Sequence, residues 1–379
     1  MKVDYLGRLQ QARRIVVKVG TSTLTHASGK LNLNRMEQLV RQLADLQNQG
    51  KEVVLVTSGA VGAGLGRLGL NERPSSIIER QAMAAIGQGL LMQVYEKLFS
   101  EYGPIVAQVL LTRNDISDRK RYLNARNTIL ALLQYRAIPI INENDTVATE
   151  ELKIGENDAL SALVAGLIEA DLLILLSDVD GLFTADPRKD HSATLIPVVV
   201  EIDQHIRAMA GGAGSSWGTG GMVTKIEAAQ MATAAGTSMV LMNGNEPSRI
   251  QRIFNGEPVG TAFLSSHNVV SSRKRWIAYG PQVNGAVVVD AGAERALLRQ
   301  GKSLLPSGIS ELHGEFEEGD MIQVVNSEGM ELGRGLTNYG MEHLQKIMGK
   351  KSIEIEMILG FKTADEVIHR DNLVITALN

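Results

Sequence analysis

Ile15-Val16-Val17-Lys18-Val19-Gly20-Thr21-Ser22 is the stretch that decides the fold. Four branched apolar residues and one lysine run without alternation into a glycine and two hydroxyl residues. Such an unbroken apolar run, bounded by a turn signal, reads as a strand buried on both faces, as in parallel sheets. The arrangement recurs at Val53–Val56, Ile105–Leu111, Ile138–Ile141, Leu172–Leu176 and Ser238–Met242. Between these runs, helical spacing covers Asn34–Gln49, Ser75–Phe99, Arg121–Gln134, Asp158–Glu169 and Thr224–Ala235. Strands alternating with helices predict an α/β fold, a mostly parallel central sheet sandwiched by helices. Ligands of such sheets bind beyond the carboxyl ends of the strands, so the residues directly after each run are the candidate site.

The pattern changes at Ser265–Arg275 (SSHNVVSSRKR), a polar stretch read as a linker between a domain over residues 1–264 and another over 276–379. Strand-like runs at Ala286–Asp290, Met321–Asn326, Ile353–Ile358 and Leu373–Ala377, with turn signals between them, predict a small, mainly β domain.

The 379 residues contain no cysteine, which excludes disulfides, thiolate nucleophiles, zinc ribbons and iron–sulfur clusters. Seven scattered histidines and the lack of an HExxH pattern argue against a histidine-rich metal site. No apolar run approaches the ~20 residues of a membrane span, and the first residues lack a signal-peptide core, so a cytoplasmic protein is expected. Glycine is abundant at 38 while aromatics make up 4%, a balance that suits backbone-lined phosphate sites better than base-stacking surfaces.

Four strand exits and one Gly-rich loop carry candidate chemistry. Lys18, near the end of a buried run, needs an anion to offset its desolvation, and Gly20 leaves backbone N–H groups accessible beside it. Ser58, Gly59 and Ala60 follow the second run and can meet an anion at a helix start. Asn142-Glu143-Asn144-Asp145 and then Asn157-Asp158 form a polar group larger than turn and capping chemistry requires. Ser177 and Asp178 end another run, where an ordinary turn is an equal reading. The Gly-rich segment Gly211–Gly221 leads into Thr224-Lys225 and suits a phosphate lid, although a plain surface loop has the same composition. Gly64-Leu65-Gly66-Arg67-Leu68-Gly69 matches GxGxxG, but it begins several residues after the strand, too late for a dinucleotide turn.

Taken in order, VVKVGTS (16–22), VTSGA (56–60), NENDTV (142–147), KIGENDALSA (153–162), LSDVDGLFTADPR (176–188) and GTGGMVTK (218–225) resemble the amino-acid-kinase family, and the C-terminal part resembles a PUA domain. The resemblance implies the branch that phosphorylates the side-chain carboxylate of L-glutamate with ATP and Mg²⁺, early in proline biosynthesis. It implies catalytic roles for Lys18, Lys225 and Asp158, the aspartate orienting the lysines. It places Ser58, Asp145 and Asn157 on glutamate with Asn142 nearby. It assigns ATP to Lys18, Ser177, Asp178, Thr219, Gly220, Gly221, Met222, Val223, Thr224 and Lys225, with no dedicated protein metal site. Many members carry Thr where Ser177 stands; the hydroxyl is kept. The resemblance also implies a homo-oligomer, dimer or tetramer, and proline as a feedback inhibitor.

The residue chemistry fits that implication. A carboxylate acceptor, with a pKa near ~4.3, is already ionised at neutral pH, so a site without histidine or cysteine lacks nothing. The difficulty is bringing two anions together, which lysines and a metal relieve. The rival readings are another family member acting on aspartate, acetylglutamate, carbamate or uridylate, or an RNA-binding protein working through the PUA-like domain. Residues 276–379 hold 9 Lys/Arg against 15 Asp/Glu, a net −6, the wrong sign for phosphate contacts. No nucleic-acid or membrane partner is therefore expected.

Overall fold

The computed structural model describes residues 4–26, 30–70, 74–148, 157–211, 221–265 and 283–376. The chain divides into two compact units, residues 1–269 and 270–379. Of the predicted linker, residues 266–275 lie outside the described residues.

The strands of the first unit are β1 (Arg14–Val19), β2 (Glu52–Thr57), β3 (Ile105–Leu111), β4 (Ala137–Glu143), β5 (Leu172–Ser177), β6 (Val198–Val199), β7 (Ser238–Asn243) and β8 (Thr261–Phe263). They form one sheet in the order β3-β4-β2-β1-β5-β7-β8-β6. All pairings are parallel except β7 with β8. Each expected strand exists, and most extend one or two residues further than the apolar run. The helices are α1 (Tyr5–Gln10), α2 (Thr21–Leu24), α3 (Leu33–Asn48), α4 (Ala60–Leu68), α5 (Ile77–Ser100), α6 (Arg113–Ser117), α7 (Arg119–Gln134), α8 (Asn157–Leu167), α9 (Gln204–Gly211), α10 (Gly221–Ala234) and α11 (Arg249–Phe254).

Strand β1 lies in the middle of the sheet, and its period of two sorts its side chains between the faces. Ile15, Val17 and Val19 enter a core with Leu39 and Leu43 of α3 and with Leu91, Tyr95 and Phe99 of α5. Val16 and Lys18 take the opposite face, where α8 and α10 pack. Each fully buried Val, Ile or Leu contributes about 1.5–3 kcal/mol, so the strand is held rigidly and Lys18 with it. Helix α3 is started by the Asn32 side chain, which accepts from the backbone of Arg35. Helix α4 begins at Gly59, whose φ of +102° is the left-handed conformation that glycine tolerates.

The GxGxxG stretch has a packing explanation. A Cβ on Gly64 would lie 2.1 Å from the Met83 carbonyl, and one on Gly87 would lie 1.7 Å from the Ala60 carbonyl. Helices α4 and α5 therefore cross with their backbones in contact, which only glycine allows at these positions. Gly69 ends α4 with φ +68°.

The second unit is a five-stranded sheet, β9 (Gly285–Val289), β10 (Ile309–Gly314), β11 (Met321–Val325), β12 (Glu331–Leu336) and β13 (Leu373–Ile375), in the order β10-β9-β11-β12-β13. Its own core includes Val287, Ile322, Val324, Leu332 and Ile368. One expectation is corrected. Ile353–Ile358 is not a strand but a 3₁₀ turn followed by the helix Ile355–Leu359, stopped by Gly360 at φ +79°. The Ile-Glu-Ile-Glu alternation imitates period two. The residues that pack are Ile355 and Leu359, four apart, while Ile353 and Met357 are more than 80% exposed. Strands β10 and β12 and the helix Ala291–Gln300 were not legible as such, their patterns being short and broken by glycine and charge.

Candidate active site

Because β4, β2, β1 and β5 are consecutive in the sheet, their carboxyl ends open side by side. They supply Asn142 to Asp145, Ser58, Lys18 and Ser177-Asp178 in that lateral order. Helix α8 begins above them with Asn157-Asp158, and the second turn of α10 contributes Lys225. The result is a cleft of about 520 Å³ lined by Lys18, Ser58, Asn142, Asp145, Asn157, Ser177, Asp178 and Lys225, with Gly20, Thr21 and Ser22 from the turn after β1.

At its centre is a buried ion triad. Asp158 has no solvent exposure. Its Oδ1 lies 2.5 Å from Lys18 Nζ and its Oδ2 lies 3.4 Å from Lys225 Nζ. Thr224 Oγ1 donates to the same Oδ2 at 3.3 Å, and Lys225 Nζ also donates to the Gly221 carbonyl at 2.8 Å. Burial alone would push the Asp158 carboxyl up, but the two ammoniums outweigh it and hold the group below its ordinary value. One carboxylate thus faces two lysines, and the triad keeps one surplus positive charge at the cleft floor. The position of Asp158 in the first turn of α8 adds the favourable end of the helix dipole.

Toward β4, the side chains form an amide cluster. The two hydrogens of Asn157 Nδ2 are shared among the Thr57 carbonyl at 2.7 Å, Ser58 Oγ at 2.8 Å and Asn142 Oδ1 at 3.0 Å. Asn142 is 2% exposed and Asp145 is half-buried at the rim. Toward β5, Ser177 is buried, its hydroxyl donating to Asp178 at 3.0 Å, while Asp178 is exposed.

Of the remaining candidates, Thr219 and Gly220 lie outside the described residues, as does Gly-rich segment 212–220. Gly221, Met222, Val223 and Thr224 form the first turn of α10 and do not line the cleft; Met222 is buried and Val223 is exposed. Sequence reading missed Gln88 and Tyr95 of α5, which stand behind the cleft. Their signal was a polar residue every seven positions on one helix, at Gln81, Gln88 and Tyr95. Among the described residues, no three His, Cys, Asp or Glu side chains gather to hold a metal. A cavity of about 690 Å³ in the second unit mixes Asp290 and Glu366 with Lys302, His369 and Arg370, but none of the six motifs reaches it. Among the described residues, no helix is long and apolar enough to cross a membrane.

Two lysines held on one buried carboxylate, at the strand ends of a parallel sheet, define the class. The chain belongs to the amino acid kinase family, whose sequence profile matches residues 13–243. The profile of the PUA domain matches residues 285–359. Its curated relatives include the glutamate 5-kinase of Moorella thermoacetica, 56% identical over 97% of this chain and 97% of that one. The glutamate 5-kinase of Caldanaerobacter subterraneus subsp. tengcongensis is 58% identical over 96% of this chain and 97% of its own. Among solved structures, the UMP kinase of Bacillus anthracis is similar at 17% identity, over 67% of this chain and 97% of that one, with a TM-score of 0.47.

Proposed function

We propose that this chain transfers the γ-phosphoryl group of ATP to the side-chain carboxylate of L-glutamate, giving γ-glutamyl phosphate and ADP. The observation that carries the reading is the Lys18–Asp158–Lys225 triad between an amide-lined pocket on one side and Ser177-Asp178 on the other. Identity above 50% to glutamate 5-kinases over nearly the whole chain supports the choice of acceptor.

In this reading a glutamate carboxylate oxygen attacks the γ-phosphorus while the bond to the β–γ bridging oxygen breaks and ADP leaves. The nucleophile is already ionised, so no proton has to be moved. The work of the site is electrostatic. Lys18 and Lys225 face the transferring phosphoryl group and offset the charge that spreads over its oxygens. Asp158 holds both lysines in place without contacting the substrate. Asp145 and Asn157 select the α-ammonium of the amino acid, and Ser58 its α-carboxylate. Ser177 and Asp178 hold the nucleotide, with Lys225 at its phosphates. The cleft's donor set, one exposed carboxylate and hydroxyls, suits Mg²⁺ carried mainly by nucleotide phosphates and water. The bound ion would supply further charge neutralisation of the phosphates.

The test is chemical. Incubation with ATP, Mg²⁺, L-glutamate and hydroxylamine should yield the γ-hydroxamate, because an acyl phosphate is trapped by the amine. ADP release without hydroxamate would reject the carboxylate as acceptor.

A further inference from the structure

Helix α5 is not part of the cleft wall, yet three of its side chains, spaced seven residues apart, reach the segments that form it. Seven residues are two helical turns, so Gln81, Gln88 and Tyr95 make one stripe. Gln81 Nε2 donates to the Ala148 carbonyl at 3.1 Å, just past Asp145. Gln88 Oε1 accepts from Asn142 Nδ2 at 2.8 Å. Tyr95 and Thr57 join their hydroxyls at 2.9 Å.

The middle contact fixes a polarity. The backbone N–H of Glu143 donates to Asn142 Oδ1 at 2.9 Å, and a backbone N–H can only donate. The Asn142 amide therefore has its oxygen on that side and its NH₂ toward Gln88, which must answer with its oxygen. Next, Asn157 Nδ2 meets the Thr57 carbonyl, which can only accept, so its two hydrogens are shared among that carbonyl, Ser58 Oγ and Asn142 Oδ1. Ser58 Oγ is then an acceptor within the protein, and its own hydrogen is left for the cleft. Asn157 Oδ1 carries no hydrogen bond among the described residues. A hydroxyl donor matches a carboxylate, and a carbonyl acceptor matches an ammonium.

We propose that Gln88 is a positioning residue for the amino-acid acceptor. Its side-chain oxygen locks the Asn142 amide, and through Asn157 that lock sets which group Ser58 and Asn157 each present to the substrate. Without an acceptor at position 88, the buried Asn142 NH₂ has no partner. The amide is then held through its oxygen alone, by the Glu143 N–H and Asn157, and can shift relative to Asn157. The proposal rests on the reading that this pocket holds glutamate. It does not involve the nucleotide side, which is separated from Gln88 by β1 and the triad.

Steady-state kinetics on the full chain with Gln88→Met and Gln88→Glu test it. Both replacements keep the length of the side chain; only Glu keeps an oxygen that can accept from Asn142. Gln88→Met should raise the KM for glutamate about tenfold and leave the KM for ATP within about twofold, as expected for loss of one buried hydrogen bond on one substrate's side. Gln88→Glu should restore the glutamate KM to within about threefold of the unsubstituted chain. An unchanged glutamate KM in Gln88→Met would overturn the proposal. So would equal rises for both substrates, the mark of a merely structural role, or a Gln88→Glu variant as impaired as Gln88→Met. If the unsubstituted chain does not phosphorylate glutamate at all, the functional reading fails first and the proposal falls with it.

Discussion

Asp158 shows how much one buried carboxylate can organise. Removing a carboxylate from water is costly, and only the two ammoniums at 2.5 and 3.4 Å make its ionised state the favoured one. Removing either lysine should therefore cost stability, but the other ammonium still faces Asp158, so the fold should survive while the chemistry does not. Lys18→Ala or Lys225→Ala is expected to lower kcat by at least about a hundredfold while circular dichroism stays native. Near-normal kcat in either variant would remove that lysine from the reaction. Asp145 stands apart, half-buried at the rim, so Asp145→Asn should raise the KM for glutamate far more than that for ATP; equal rises would mean it organises the whole cleft. The Asp158 carboxyl is held below its ordinary value, so its stabilising contribution is complete above the unfolded pKa and is lost only as pH falls through the lower folded one. The difference in urea midpoint between the unsubstituted chain and Asp158→Asn should thus be constant from about pH 7 to 5 and shrink only below about pH 4. A difference that closes between pH 7 and 5 would show that Asp158 is not kept ionised.

Elements deliver these side chains, and glycine decides how closely two of them approach. Helix α4 starts directly after Ser58, and its backbone rests on α5 through Gly64 and Gly87. Gly87→Ala would put a methyl group 1.7 Å from the Ala60 carbonyl, forcing α4 away from α5. A loss of about 1–3 kcal/mol in chemical denaturation is expected, together with a weakened glutamate KM, because the start of α4 carries Ser58 and Gly59. A neutral Gly87→Ala would contradict the close crossing. The strands were legible because Val, Ile and Leu dominate runs such as Ile15–Val19, broken only by Lys18, and make up the whole of Leu172–Leu176. Motif residues at strand exits were legible because they are more polar than a turn needs. Gln88 and Tyr95 were not, since a buried polar residue on a long helix looks like any solvent-facing position until the neighbouring strand end is known. Ile353–Ile358 misled because alternating glutamates gave an irregular helical segment the period of a strand.

Across the whole molecule, the modest net charge of −4 conceals an uneven distribution. Residues 1–275 hold 29 Lys/Arg and 27 Asp/Glu, whereas residues 276–379 carry a net −6. The unit that contains the cleft is thus nearly neutral, and its decisive positive charge is local, the surplus lysine of the triad. The second unit has its own core and sheet, and the family profile it matches is separate from that of the first. The described cleft is lined by residues of the first unit, and what its amide-lined pocket accepts is the deciding question. The direct measurement is ADP release by the full chain with ATP and Mg²⁺, comparing kcat/KM for L-glutamate, L-aspartate, carbamate and UMP at equal concentration. L-Glutamate should exceed every other acceptor by at least about a hundredfold, the scale on which a pocket built to hydrogen-bond both ends of its ligand discriminates. Equal or faster turnover with any of the other three would contradict the account.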